Sequence, residues 1–312
     1  MADVDTVIIE SHMGSCMRRY CQIRLFTILT LSTGTWLAHA ENPLACATTV
    51  SPELAKQCVL ENKLVKITDD LYVIAGDGSN TTVYLTDKGV ILVDDKFERD
   101  YDNIRDKIRS LTDKPVKYVI NTHFHPSSAG GNERWRTSSQ IIAHSNARAD
   151  MITEKLPGAP SLTFTDEMTI NLGGKEVVAR HFGRAHTNSD IVVYFPGPKV
   201  VVMGDVFNLP PWGVAPDYKG GGSIAEHNKT LDGALQWDFD VVIPGHGAPM
   251  VKRADLITFR ASLIASRDRI SAMIREGKSK DDMKKVLISE FGWNPTGGGI
   301  GAIDDIIAEL RR

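Results

Sequence analysis

The stretch Asn121-Thr-His-Phe-His-Pro-Ser-Ser-Ala-Gly-Gly-Asn132 follows an apolar, β-type run at Val116–Ile120. It places His123 and His125 one residue apart, beside a turn-forming proline and a pair of glycines. Because residues i and i+2 of an extended segment point the same way, both imidazoles can reach one metal ion. The stretch therefore predicts a metal site on a loop at the end of a strand. A polar surface loop with two unrelated histidines explains this pair alone equally well.

The composition is that of an ordinary globular protein. The 312 residues are 42% apolar and 24% charged, enough for one large core or two small ones. The formal net charge is −3, and acidic and basic residues are mixed along the chain. Such a chain gives no reason to expect nucleic acid or an anionic membrane as a partner. The expected partner is a small-molecule substrate, and no oligomeric state is indicated.

The N-terminal region has the pattern of an export signal. Three arginines precede an apolar run at 25–31, and the tripeptide Ala38-His-Ala40 follows it. This order predicts a signal peptide cleaved after Ala40, and hence a periplasmic or secreted protein. The run is too short for a transmembrane helix, which needs about 20 apolar residues; a buried helix at 22–37 is the alternative. Residues 1–16 do not fit a normal signal sequence, and Ser-His-Met-Gly-Ser at 11–15 resembles a cloning scar.

The predicted division is an N-terminal extension with signal peptide at 1–40 and a single domain at 41–312 that includes C-terminal helices. Two cysteines remain after cleavage, Cys46 and Cys58. In an oxidising compartment they are a candidate disulfide, worth on the order of 3 kcal/mol for a loop of this size. Two free, separately buried cysteines are the alternative. The sequence has no Cys-x-x-Cys motif, which argues against a zinc knuckle or a thioredoxin-like site.

The order of predicted elements indicates two sheets. Short strands separated by turn residues come first, at 64–67, 71–75, 81–86 and 90–93, followed by a helix at 101–110 and a strand at 116–120. A strand at 139–143 and a helix at 146–155 lead to a second group of strands, at 168–172, 176–181, 191–194 and 200–203. Helices at 224–237 and 256–275 flank a short strand at 241–243. Two β-rich halves, each followed by helices, predict two sheets packed face to face with helices outside.

Four further polar residues stand where a predicted strand ends. They are His186 after the strand at 176–181, Asp205 in Val-Val-Val-Met-Gly-Asp, His246 in Val-Val-Ile-Pro-Gly-His-Gly and Asp94 in Gly-Val-Ile-Leu-Val-Asp. Polar residues at the ends of apolar strands are what a site at one rim of a β-scaffold requires. The Pro/Gly-rich segment 209–222 is predicted to be a long functional loop, with an irregular connection as the alternative.

The spacing of these residues resembles the metallo-β-lactamase superfamily of metallohydrolases. The shared features are His-x-His, a distant His, a distant Asp after Gly and a final His in Pro-Gly-His-Gly, and the resemblance covers roughly residues 63–250. It implies an α+β fold, a four-layer αββα sandwich with its ligands at one edge of the sheets, usually around two zinc ions. The resemblance further implies first-metal ligands at His123, His125 and His186, a bridging carboxylate at Asp205, a second-metal ligand at His246, and a supporting role for Asp94.

The chain departs from the family motif His-x-His-x-Asp-His at two positions. Ser127 stands where the motif has Asp, and Ser128 stands where it has the second-metal His. A neutral hydroxyl is a poor zinc ligand compared with a carboxylate or an imidazole. The second metal would keep only Asp205 and His246. We therefore expect one zinc ion, with a second bound weakly or not at all.

Three imidazoles with an open position predict a hydrolase. Such a set lowers the pKa of a bound water to about 7 and yields a hydroxide nucleophile at neutral pH. Ser127 can hydrogen-bond this water but cannot act as a base, a role that Asp205 could take. We expect a zinc-dependent hydrolase of lactam, lactone or other ester- or amide-type bonds, slowed by the two serines. A nucleophilic serine is disfavoured because no Gly-x-Ser-x-Gly elbow surrounds Ser127 or Ser128.

Two alternatives remain open. His123, His186 and Asp205 match the two-His-one-carboxylate set of non-haem iron, so an Fe²⁺ oxidoreductase of the persulfide dioxygenase type is one. A catalytically inactive family member is the other.

Aromatic residues near the motifs are expected to form an apolar wall over the metal and to bind a partly hydrophobic substrate there. They are Trp135, Trp212 and Tyr218. The remaining histidines of the domain are expected to be structural or surface residues: His144, His181 and His227.

Overall fold

The computed structural model describes residues 61–311 and arranges their strands in two sheets. The seven strands of the first sheet lie in sequence order: β1 (Lys63–Lys66), β2 (Leu71–Ala75), β3 (Thr81–Thr86), β4 (Gly89–Val93), β5 (Val116–Ile120), β6 (Gln140–His144) and β7 (Leu162–Phe164). The second sheet has the order β13-β12-β11-β10-β9-β8, with β8 (Glu167–Leu172), β9 (Lys175–Arg180), β10 (Val192–Phe195), β11 (Val200–Gly204), β12 (Val241–Pro244) and β13 (Val251–Lys252). The predicted signal peptide and the Cys46–Cys58 pair lie outside the described residues.

The helices of the described region follow the strands in both halves. They are α1 (Tyr101–Arg109), α2 (Pro126–Ala129), α3 (Asn132–Trp135), α4 (Ser145–Thr153), α5 (His227–Ala234), α6 (Arg253–Arg275), α7 (Lys280–Phe291), α8 (Gly298–Gly301) and α9 (Ile303–Leu310). Among residues 61–311, no helix is both long enough and apolar enough to cross a membrane. These residues fall within one compact unit; the prediction that the domain starts at residue 41 stays a prediction.

Alternation along the strands divides the apolar side chains between the two faces of each sheet. In β4, Ile91 and Val93 join the core that contains residues of both sheets, whereas Val90 and Leu92 join the core that contains α1. A third core packs the other face of the second sheet against α5, α6, α7 and α9. Since side chains along a strand point alternately to opposite faces, each sheet is covered on both sides. The result is the predicted αββα sandwich of an α+β protein, which is confirmed.

Parallel pairing brings the predicted ligand positions to the same rim of the sheets. In the first sheet β4 is parallel to β5, and in the second sheet β11 is parallel to β12. Because the carboxyl ends of parallel neighbours meet at one edge, Asp94 lies beside the His123 loop, and Asp205 beside His246. Asn80 joins the sheets there, since its amide nitrogen donates to the carbonyl of Pro244 at 3.0 Å.

Some elements differ from the sequence expectation. Strand β7 was not predicted, because it has only three residues and two of them are exposed. Helix α5 is shorter than the predicted 224–237, and α6 begins three residues before the predicted 256. At that start, the Asp255 carboxylate accepts a hydrogen bond from the Lys252 amide at 2.8 Å, which caps the helix.

The prediction that Trp135 lines an apolar wall over the metal is wrong. Its side chain is 3% exposed and lies in the core between the first sheet and α1. The indole packs against the Tyr101 ring with 4.6 Å between ring centroids. The sequence places this tryptophan close to the His-x-His loop, but α3 turns it away from that loop and into the outer core.

Three histidines have the structural partners expected of them. His144 accepts a hydrogen bond from the Asn146 amide and so caps α4. His181 hydrogen-bonds the carbonyl of Asp190, and the fully buried His227 hydrogen-bonds that of Val206.

Replacement of Trp135 by alanine tests its place in the core. We expect a loss of about 3 to 5 kcal/mol in the free energy of unfolding, because a large buried side chain leaves a cavity. Urea unfolding followed by circular dichroism measures this loss. Trp212→Ala is the matched control and should cost much less, because Trp212 is partly exposed. Equal losses for the two variants would contradict the assignment of Trp135 to the core.

Candidate metal centre

Three imidazoles converge at the rim of the two sheets. His123 and His125 come from the loop after β5, and His186 comes from the loop between β9 and β10. One ring nitrogen from each lies within 4.8 Å of the others, close enough to hold a single metal ion. His123 is fully buried and His186 nearly so, while His125 is partly exposed.

Hydrogen bonds decide which nitrogen of each ring is free to bind. His186 Nδ1 contacts the carbonyl oxygen of Ala215, which can only accept, so this nitrogen carries the proton. His125 Nε2 lies 3.0 Å from a carboxylate oxygen of Asp217 and donates to it. That hydrogen bond lowers the pKa of Asp217 to about 2, so the carboxylate is ionised at neutral pH. The free lone pairs are therefore on His186 Nε2 and His125 Nδ1.

These two lone pairs face each other. His186 Nε2 and His125 Nδ1 are 3.0 Å apart. The N–H of each ring is on the other nitrogen, where it donates to Ala215 or to Asp217. Two acceptors at this distance repel, and a metal ion bound by both removes the repulsion. The separation is close to the ~3.3 Å expected between two nitrogen ligands of a tetrahedral zinc ion. The donor set therefore fits a metal.

The third ring, that of His123, is also oriented by a hydrogen bond on the side facing away from the other two rings. Thr122 Oγ1 donates to Asp94 at 2.8 Å, so the hydroxyl accepts from His123 Nδ1 at 3.1 Å. The free nitrogen is then His123 Nε2, which is buried and has no hydrogen-bond partner among the described residues. Burial holds the pKa of His123 well below its usual range, so the ring is neutral. A neutral imidazole with a buried, unpaired nitrogen is ready to bind a metal.

Asp94 holds this arrangement from beneath the loop. Its two carboxylate oxygens accept from the amide and the hydroxyl of Thr122, at 2.7 and 2.8 Å. Burial raises the pKa of Asp94 to about 7, although both hydrogen bonds oppose the rise. Its backbone is left-handed, with φ of 58°, an uncommon conformation for a residue other than glycine. These contacts agree with the supporting role implied by the resemblance.

Asp205 and His246 lie beside the three imidazoles. Asp205 Oδ2 is 3.6 Å from His186 Nε2 and 4.0 Å from His123 Nε2, and Asp205 Oδ1 is 2.9 Å from His246 Nδ1. Burial favours a higher pKa for Asp205, but the imidazoles, His246 foremost, outweigh burial and hold it well below its usual range. Burial favours a lower pKa for His246, but Asp205 outweighs it and raises that pKa. The carboxylate thus borders both predicted metal positions.

The two serines lie in the short helix α2. Ser128 is fully buried, and its hydroxyl has no hydrogen-bond partner within residues 61–311. Ser127 is partly exposed, and its carbonyl accepts from the Ser79 amide at 3.0 Å. The Ser128 carbonyl accepts from the Asp95 amide at 2.8 Å. The contacts found here are backbone contacts that hold the loop in place.

Residues 209–222, called the site loop below, cover this rim. Trp212 stacks on His246, with 5.3 Å between ring centroids and 30° between planes. Trp212 therefore lies against a predicted second-metal ligand, and its contact with substrate stays a prediction. Tyr218 does not, because its hydroxyl donates to Glu309 in α9 at 2.7 Å and its ring packs against the core of the helices. The expectation that Tyr218 contacts substrate is not supported by its position.

Asp217 is a site residue that the sequence did not single out. It lies inside the irregular site loop and 92 positions from His125, its partner. The predicted ligands all stand at the ends of apolar strands, and Asp217 has no such position. The one available signal was the length and the Pro/Gly content of the loop.

Comparisons with known proteins agree with the fold and the motif order. A family model described as Metallo-beta-lactamase superfamily matches residues 74–246. A metallo-β-lactamase type 2 from Elizabethkingia meningoseptica is 28% identical over 153 residues, which are 46% of this chain and 61% of the relative. The alpha subunit of 2,4-dinitroanisole O-demethylase from Nocardioides sp. (strain JS1661) is 27% identical over 167 residues, 51% of this chain and 50% of the relative. The chain thus matches 50% to 61% of the length of these curated relatives.

Solved structures show the same architecture. A metallo-β-lactamase from Pontibacter korlensis has a TM-score of 0.60 at 20% identity, covering 65% of this chain and 99% of its own. The crystal structure of DIM-1 metallo-β-lactamase has a TM-score of 0.59 at 20% identity, covering 67% of this chain and 99% of its own. At this identity the likeness shows the fold alone.

Replacement of Asp217 by asparagine tests its hold on His125. We expect zinc affinity to fall about 10- to 100-fold, because the amide is a weaker acceptor and leaves the ring less firmly oriented. Competition with a chromophoric chelator measures the affinity. Asp238→Asn is the matched control, since Asp238 pairs with Lys199 on the surface at 2.6 Å. An affinity for Asp217→Asn equal to that of the control would contradict the role of Asp217.

Proposed function

Because the chain belongs to the metallo-β-lactamase superfamily, we propose that it is a zinc-dependent hydrolase of a lactam, lactone or other ester- or amide-type bond in a small molecule. The observation that carries this proposal is the pair of facing ring nitrogens on His125 and His186, 3.0 Å apart, which a bound metal ion would satisfy. The arginine-rich and apolar pattern before residue 41 supports a periplasmic or secreted location.

We propose that one zinc ion is held, by His123, His125 and His186. Each ring points one free nitrogen towards the other two rings. Its second nitrogen is hydrogen-bonded to Thr122, Asp217 or Ala215. A second zinc would have only Asp205 and His246 as ligands, because serines occupy 127 and 128. Two ligands are fewer than the three protein ligands typical of catalytic zinc sites. We therefore expect the second position to be weak or empty.

A zinc ion bound to the three imidazoles would act as a Lewis acid on the scissile bond and activate a water. The protein residues would supply orientation and proton handling. Asp205 faces His123 and His186 with one oxygen, and the other is fixed by His246 at 2.9 Å. This carboxylate is proposed to orient the water and to act as a base, and its low pKa makes it a weak base, which also favours a slow reaction. The Ser127 hydroxyl is proposed to assist only as a hydrogen-bonding group, which is why a slow reaction is expected.

The proposed substrate has an apolar part that rests on Trp212. This indole stacks on His246 and presents an aromatic surface beside the metal position. Aromatic side chains in a pocket favour apolar groups, with the polar groups of the site fixing orientation. The relatives are named for β-lactams and for 2,4-dinitroanisole, so both kinds of compound belong in the substrate screen.

Convergence of three imidazoles favours zinc over iron. The two-His-one-carboxylate set would use His123, His186 and Asp205, and leave His125 outside. His125 instead points its free nitrogen at His186, with its other nitrogen anchored on Asp217. The mutual approach of all three rings supports zinc, and an oxidoreductase is not proposed.

Metal analysis with turnover assays tests the proposed function. We expect about one zinc per chain and slow hydrolysis of a chromogenic β-lactam, a lactone or an aryl ester, both lost in His186→Ala. Elemental analysis of purified protein and absorbance assays measure these quantities. Iron with oxygen consumption would contradict the proposal, and so would the absence of bound metal and of turnover.

Restoring the family motif tests the account of the two serines. The double variant Ser127→Asp and Ser128→His should raise bound zinc from about one towards two per chain and increase the hydrolytic rate, because it supplies a carboxylate and an imidazole. Ser127→Ala with Ser128→Ala is the matched control, which removes the hydroxyls without adding ligands. If metal content stays unchanged in the restored variant, the serines are not what limits the second site.

A further inference from the structure

We propose that Glu309, in the last helix α9, is a long-range positioning residue of the metal centre and acts through the site loop. This inference rests on the proposed function, because the centre it supports is the zinc site. The loop that orients two of the three imidazoles is hydrogen-bonded, at its C-terminal end, to the carboxylate of Glu309.

The site loop supplies the hydrogen-bond acceptors for two of the proposed ligands. The Ala215 carbonyl accepts from His186 Nδ1, and the Asp217 carboxylate accepts from His125 Nε2. The loop also grips the backbone of His186, because the Asp217 amide donates to the His186 carbonyl at 2.7 Å. A shift of the loop would therefore disturb the orientation of both rings together. The orientation of the ligands therefore depends on where this loop is held.

The site loop packs closely against the backbone of His186. A Cβ atom on Gly222 would lie 2.2 Å from the His186 carbonyl oxygen, so only glycine fits there. The Gly222 amide donates to the Asp217 carbonyl at 2.7 Å, and the next amide, of Ser223, donates to the Ala185 carbonyl at 2.9 Å. The loop and the His186 segment thus form one hydrogen-bonded unit.

Glu309 accepts four hydrogen bonds from this unit and its continuation. One oxygen accepts from the Tyr218 hydroxyl at 2.7 Å and from the amides of Ile224 and Ala225 at 3.1 and 3.3 Å. The other accepts from the Ser223 hydroxyl at 2.5 Å. Hydrogen bonds to a carboxylate are stronger than those between neutral groups. The Glu309 side chain therefore holds the C-terminal end of the site loop. This end adjoins Gly222, whose amide donates to the Asp217 carbonyl.

The segment before α9 holds the other part of the site loop. The Asn294 amide group donates to the Pro211 carbonyl at 2.8 Å. A Cβ atom on Gly299 would lie 2.3 Å from the Val214 carbonyl oxygen, so α8 lies directly on the loop. Trp293 and Ile300 belong to the core against which the loop packs. The C-terminal segment thus contacts the site loop on both sides of Ala215.

Glu309 and the C-terminal helices lie outside the part of the chain that the family model matches, which ends at residue 246, whereas the site loop lies inside it. The site loop joins the histidines to the C-terminal helices. Glu309 accepts four hydrogen bonds where the end of this loop meets α9. The structure therefore assigns the C-terminal helices a part in zinc binding beyond covering the second sheet.

Glu309→Gln in the full-length chain tests the inference. The substitution keeps the size of the side chain but removes the charge and replaces one acceptor with a donor. We expect amide hydrogen exchange in peptides spanning 209–226 to become about tenfold faster, and zinc affinity to fall about three- to tenfold, less than for a residue that touches a ligand directly. The cobalt-loaded variant should also show an altered visible spectrum, which reports ligand geometry.

Asp304→Asn is the matched control. Asp304 lies on the same helix and pairs with Lys280 on the surface at 2.9 Å; among residues 61–311 it makes no hydrogen bond or ion pair with the site loop. It should leave exchange, zinc affinity and the cobalt spectrum unchanged.

The inference is overturned if Glu309→Gln matches the control in loop exchange, or if exchange rises while zinc affinity and the cobalt spectrum match the control. A wild-type chain that binds zinc but hydrolyses nothing would remove the proposed function and leave these readouts intact. Glu309→Ala, which removes all four acceptor contacts, should give larger changes in the same direction.

Discussion

The contact on which the centre depends is the 3.0 Å approach of His125 Nδ1 to His186 Nε2. Each ring has its only proton engaged on its far side, with the Asp217 carboxylate or the Ala215 carbonyl. Two lone pairs facing each other in a nearly buried place are unfavourable unless a cation is present. His123 adds a third free nitrogen that has no partner in the described part of the chain. Hydrogen bonds to Thr122, Asp217 and Ala215 thus orient the three rings towards one position that could hold a cation.

Different layers of the protein supply these hydrogen bonds. Asp94, at the end of β4 in the first sheet, orients His123 through Thr122. The site loop, between β11 and α5 of the second half, orients His125 and His186. The sandwich brings both sources to one rim because β4 and β5, like β11 and β12, run parallel. The C-terminal helices contact the loop from outside, so their proposed effect on ligand orientation is indirect and passes through the loop.

The sequence predicted the strands, the residues at their ends and the supporting role of Asp94, but not the support that comes from the site loop and the last helix. The ligand positions could be predicted because each follows an apolar strand, and strand ends in a layered fold gather at an edge. Asp217 and Glu309 could not, because they act from a loop and a helix end on partners 92 and up to 91 positions away, with no periodic pattern to reveal the pairing. Trp135 was misplaced for a related reason: its closeness in sequence to the His-x-His loop says nothing about the face that α3 presents. Ser127 and Ser128 were recognisable from the motif alone, and their effect on chemistry follows from ligand strength.

The identity of the free ring nitrogens decides whether the three imidazoles can hold one metal ion, and imidazole ¹⁵N chemical shifts measure it. On titration of the metal-free chain with zinc, we expect His123 Nε2, His125 Nδ1 and His186 Nε2 to shift as metal-bound nitrogens, while the opposite nitrogen of each ring stays protonated. Saturation should occur at about one zinc per chain, since three imidazoles and an open position make a complete catalytic site. Shifts at the opposite nitrogens, or none at all in these three rings, would contradict it.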